Sequence, residues 1–141
     1  MKEILRAVPI ALYLLVGIIS LVMAFKSLFS TKYLPFHEKA AGKQWSEIEE
    51  PLKFVILSFL RLGGLGFLII SILLIGYPIL NYFIPSIFYK YFIPAIALIF
   101  CTGLFLNNYS LYKNTKANTP WKGSLYAMFI ILTGIIISTL N

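Results

Sequence analysis

Four uncharged apolar runs occupy most of this chain, and lipid is the solvent that suits them. They cover residues 7–25, 62–89, 91–112 and 123–141, with a lysine or arginine at most of their borders. A bilayer core about 30 Å thick is crossed by about 20 apolar residues in a helix. Runs of this length predict membrane-spanning helices. Composition agrees: 60% of the residues are hydrophobic and 12% charged, against about 45–50% and about 25% in soluble domains. A chain of 141 residues has too little interior to hide that surface from water. The expectation is an all-α protein, an integral membrane four-helix bundle with a short interfacial helix in the first loop. It forms a single transmembrane domain, 1–141, with spans at about 7–28, 52–78, 90–112 and 120–140.

The long run 62–89 holds its own breakers. Pro78 and Pro85 flank Asn81, so residues 76–88 read as a turn between two spans. The first run follows a basic start, Lys2 and Arg6, but exceeds a signal-peptide core and lacks a small-x-small cleavage site after Phe25, so it reads as a retained span. Orientation follows the lysines. Lys2, Arg6 and Lys90 share one side, whereas Lys26, Lys32, Lys39, Lys43, Lys53, Lys113, Lys116 and Lys122 share the other. Loops 27–50 and 113–119 are therefore expected in the cytoplasm. Tyr77, Tyr82, Tyr89 and Tyr91 mark one membrane border and Tyr33, Tyr109 and Tyr112 the other, as aromatic belts do. Small residues four apart, Ser20 and Ala24, Ala97 and Cys101, Gly134 and Ser138, invite close helix contact, as do Gly63, Gly64 and Gly66.

Several chemistries drop out. One cysteine, Cys101, precludes an internal disulfide or a cysteine zinc site, one histidine precludes a bis-histidine haem in one chain, and aspartate is absent. No cofactor and no metal site is expected. The net charge of +7 fits lysines facing anionic headgroups rather than nucleic acid, because no basic stripe interleaves with aromatics.

The first loop is more than a linker. Residues 36–41 suit a short helix closed by Gly42, a left-handed C-cap, with Phe36 and Trp45 as interfacial anchors. Ser46 and Glu49 form a capping-box pattern, which places the start of the second long helix near Glu47 and its end near Gly76. Glu47, Glu49 and Glu50 then read as first-turn anions, with metal or proton chemistry as the alternative. His37 is either simply solvated or a pH-sensitive or metal-binding group beside a glutamate. Arg61 lies eight positions after Lys53, about 12 Å along a helix. It either snorkels to headgroups or meets Asn107 or Asn108 from the third span, an Arg61–Asn107 contact being the expected form. The candidate ligand-binding set is Arg61, His37, Trp45, Glu38, Asn107, Asn108 and Trp121, all on the loop side. It suits an anionic headgroup or a small polar ligand and contains no nucleophile–base constellation, so no catalytic residue is assigned and the reading leans away from an enzyme.

The stretch Pro35-Phe36-His37-x-x-Ala40-x-Gly42-x-x-Trp45-x-x-Ile48, then Arg61-x-x-Gly64, then Thr119-Pro120-Trp121, resembles a family of small bacterial four-span membrane proteins without an established activity. In size alone the chain is similar to DoxX-like proteins, which are associated with respiratory membranes. The resemblance implies a bacterial membrane protein and carries over no residue role; its expected place is the bacterial cytoplasmic (inner) membrane. Two functions follow as expectations. One is a non-enzymatic accessory or oligomeric subunit, with a second copy or another membrane protein as partner. The other is a binder or transporter of a lipid, quinone or small organic anion. Membrane lipid is a partner in either case.

Overall fold

The computed structural model describes residues 2–140 and, among these, the side chains from Arg6 onward. The ends of the expected domain, Met1 and Asn141, and the side chains of Lys2 and Glu3 lie outside the described residues. The chain forms α1 (Lys2–Leu28), α2 (Pro35–Ala41), a 3-10 turn (Trp45–Glu47), α3 (Glu50–Phe83), α4 (Ile87–Thr115) and α5 (Trp121–Thr139). Strands are absent among the described residues. The four long helices are each long and apolar enough to cross a membrane, and α2 is the short helix of the first loop. The protein is an all-α integral membrane four-helix bundle.

The bounds of α3 differ from the expected ones at both ends. Its N-terminal signal sits two residues earlier and caps a different element. Gln44 and Glu47 form the capping box, with the Gln44 N–H donating to Glu47 Oε2 at 2.9 Å, and they cap the 3-10 turn. Ile48 and Glu49 are extended, and α3 starts at Glu50 with Pro51 in its first turn. The reason is Pro51. In a helix beginning at Glu47, residue 51 would have to donate to the Glu47 carbonyl, and proline has no N–H. At the other end α3 runs through Pro78 to Phe83, so Asn81 is helical and the expected turn at 76–88 shrinks to residues 84–86. Pro78 forfeits one bond, to the Leu74 carbonyl. Leaving the helix in an apolar medium would strand several backbone groups at once. The turn forms where Pro85 presses its predecessor out of the helical region and where the Ser86 hydroxyl caps α4 by accepting from the Phe88 N–H at 3.2 Å.

The long helices form a ring in which α1 packs on α3 and α5, and α4 closes it against α5 and, more sparsely, α3. The small-residue pairs face inward as expected: Ser20, Ala24, Ala97, Cys101, Gly134 and Ser138 are all buried. Gly64 lets α1 approach, since a Cβ there would sit 2.9 Å from Leu28 and 3.0 Å from Ser27. Packing is uneven along the bundle. Tyr13, Leu74, Tyr77, Ile93 and Ile131 fill the half nearest the short connection, where Tyr13 and Tyr77 meet edge to face at 5.5 Å. The half nearest the loops is hollow. Outward faces carry large apolar side chains, among them Phe59 at 71% and Ile99 at 72% exposure. In water such a surface would aggregate; in lipid it is the contact surface.

Candidate functional site: a cavity beneath the loop helix

The hollow half holds a cavity of about 370 Å³, within the range of small-molecule sites. Its walls come from α1, α3 and α4, and the first loop covers it. That cover is built residue by residue. Pro35 presets the first turn of α2, and Gly42 ends it with φ +64°, its N–H donating to the Glu38 carbonyl at 3.0 Å. Tyr33 is buried, donates its hydroxyl to the Lys43 carbonyl and meets Trp45 edge to face at 5.0 Å. Lys53 Nζ lies 5.9 Å over the Trp45 ring. Trp45 thus pins the loop to the start of α3 and does not reach the cavity.

The polar groups of the cavity are Ser27, His37, Asn107 and Asn108. His37 projects from α2 with its ring 4.0 Å from that of Phe36. Burial lowers its pKa from the ordinary 6.5, so the imidazole is neutral at pH 7 and offers one donor and one acceptor. Asn107 is exposed at the mouth, and its side chain makes no hydrogen bond among the described residues. Asn108 is buried at the third loop: its main-chain carbonyl accepts from Thr119 Oγ1 at 2.7 Å, and its side-chain Nδ2 donates to Ser124 Oγ at 3.5 Å. Among the described residues no carboxylate, lysine or arginine lines this cavity. No group of three His, Cys, Asp or Glu side chains there could hold a metal ion. The lining can hydrogen-bond a neutral oxygen-bearing group and enclose an apolar one.

The seven candidate residues therefore separate. His37, Asn107 and Asn108 share the cavity. Trp45 is the loop anchor. Glu38 faces the other side of α2, in a shallow depression with Lys39, Lys43 and Glu47. Trp121 joins an aromatic cluster with Phe105, Tyr109 and Tyr112, at ring separations of 6.3, 5.6 and 5.9 Å. Arg61 is exposed and makes no hydrogen bond or ion pair among the described residues, so the expected Arg61–Asn107 contact is not formed. Helix geometry explains this. Leu60, Gly63 and Phe67 face the cavity, and at about 100° per residue Arg61 points at least about 100° away from each of them. Ser27 is the polar lining residue that sequence reasoning missed. It continues the Ser20–Ala24 face by one turn, so extending that stripe would have found it.

Compared with models of known protein families, with curated proteins and with solved structures, the chain matches none.

Proposed function

We propose that this protein is a non-enzymatic membrane protein that binds an uncharged, hydrogen-bonding membrane molecule in the cavity beneath α2. The observation that carries this reading is the lining itself: Asn107 at the mouth, with the neutral His37, the buried Asn108 and the buried Ser27, among otherwise apolar walls and, among the described residues, no charged side chain. A lipid or a quinone has this chemistry. An organic anion does not, because Arg61, its expected contact, points elsewhere. Placement in the cytoplasmic membrane of a bacterium, with the α2 side inward, is part of the same proposal. The lysine distribution and the sequence resemblance support it.

Asn107 is the residue to test. It lines the mouth and holds nothing else in place, so Asn107→Leu should leave the fold intact. The protein, purified in mild detergent, is expected to retain a defined neutral lipid-like molecule in native mass spectrometry, and Asn107→Leu is expected to lose it. Equal retention by both proteins would refute the reading.

A second reading, an accessory or oligomeric subunit, draws on Arg61. An exposed arginine on the outward side of α3 is available to an acidic group of another membrane protein or of a second copy. Co-purification of a partner, lost in Arg61→Leu, would favour it.

A further inference from the structure

A second cavity, of about 300 Å³, lies directly beyond the first. The two share Met23, Phe67, Leu104, Asn108 and Pro120 as common walls. Their linings differ in kind. The first carries the imidazole and both amides. The second is walled mostly by apolar side chains of α1, α4 and α5 with Phe67 of α3; of its polar members, Ser20, Cys101, Asn108 and Ser124 are small or already bonded, and Tyr126 stands at its exposed rim. It runs from Met23 to Val16 along α1 and from Gly123 to Ile130 along α5, about 10 Å of helix on either side. Two of its lining residues, Ile19 and Tyr126, are 51% and 63% exposed, so it reaches lipid between α1 and α5.

We propose that the two cavities form one site for a single-chain amphiphile, with an uncharged oxygen-bearing head at His37, Asn107 and Asn108 and its hydrocarbon tail between α1, α4 and α5. This rests on the reading of the first cavity as a headgroup site. Size selects one chain. Cavities of about 370 and 300 Å³ that share five walls suit a head and part of one tail. Two acyl chains exceed that room. The medium matters as well. A tail leaving lipid for an apolar cavity gains nothing from hydrophobicity, because lipid is as apolar as the cavity wall. Occupancy is therefore set by the hydrogen bonds to the head, and the tail cavity decides which molecules fit. The gap between α1 and α5 lets the tail slide in sideways while it stays in lipid throughout.

The test uses a monoacylglycerol carrying a photoreactive diazirine within its chain, added to the full-length protein in lipid nanodiscs. Crosslinks are expected on Ser20, Met23, Ala127 or Ile130. A fatty acid of the same chain, being anionic, should fail to compete, and unlabelled monoacylglycerol should succeed. Gly123→Leu fills the second cavity: a Cβ at Gly123 meets open space, and leucine is the better helix former, so the variant should fold. Its crosslink yield should fall about tenfold, the scale of overpacking, with Ala127→Leu as a second filling variant. Crosslinks confined to outward residues such as Phe129 and Ile136, but abolished by Asn107→Leu, would overturn the tail site and leave the headgroup reading standing. Crosslinks that neither Asn107→Leu nor competitor reduces would overturn both. Competition by the fatty acid as strong as by monoacylglycerol would overturn the uncharged-head assignment.

Discussion

Adjacent asparagines on α4 have opposite duties. Asn108 points inward and ties α4 to the third loop and to α5, whereas Asn107 is left open to the cavity mouth. At a separation of 3.5 Å the Asn108–Ser124 bond is weak, so most of the tie is the Thr119 hydroxyl on the main-chain carbonyl of Asn108. Thr119→Val keeps the shape and removes that donor. It should cost about 1 kcal/mol, read as a lower unfolding midpoint in detergent, while Thr119→Ser should keep most of the bond. A midpoint unchanged in Thr119→Val would mean that the tie contributes nothing. That an Asn–Asn pair sits on the loop side is visible in the linear sequence; which of the two is free is not. The difference is one residue, about 100° of helix rotation, and the neighbouring helices alone set that rotation. Arg61 teaches the same lesson. Its distance from Lys53 along the helix axis was legible from the spacing, but its direction was not.

Among the elements, α3 shows how local rules compete. Its start follows from Pro51 once the missing N–H is counted back to Glu47. Its passage through Pro78 follows from the medium, which punishes a broken helix more than one lost bond. The glycines of α3 separate just as clearly. A Cβ at Gly64 meets Leu28 and Ser27 at 2.9–3.0 Å, including the Leu28 backbone, while one at Gly63 meets nothing within 4 Å. Gly64→Ala should therefore push α1 from α3 and destabilise the bundle by about 1–3 kcal/mol. Gly63→Ala should be neutral or stabilising by up to about 1 kcal/mol. Equal thermal behaviour of the two variants would argue against this packing. For α2 the lever is His37. Its pKa is lowered by burial, so the docked loop prefers the neutral imidazole. The stability this contributes is fully present above about pH 6.5 and is lost as pH falls below that towards the folded value. The unfolding midpoint should fall as pH drops below about 6.5, and the fall should be shallower in His37→Gln. Identical pH profiles would show that His37 does not report on docking.

Across the whole molecule the uneven packing is the consequential feature. A tight aromatic and aliphatic core closes the end with the short connection, and the end with the long loops is hollow, covered by a helix and reachable from lipid. Both long loops lie on that side with most of the lysines, so its orientation matters for function. In a Cys101→Ala background, Lys43→Cys and Lys113→Cys should resist an impermeant maleimide in intact cells and react after permeabilisation, whereas Tyr82→Cys should react in both. The reverse pattern would invert the topology. Helix count, the short loop helix with its Gly42 cap and the inward small-residue faces were all written in local composition, because hydrocarbon thickness, backbone satisfaction and the left-handed cap act over a few residues at a time. The cavity was not. It exists because α3 and α4 meet sparsely, because Trp45 and Tyr33 hold a loop over the gap, and because rotation about each helix axis turned Asn107, Asn108 and His37 towards it and Arg61 away. Those are relations between elements distant along the chain, and only their packing against one another settles them.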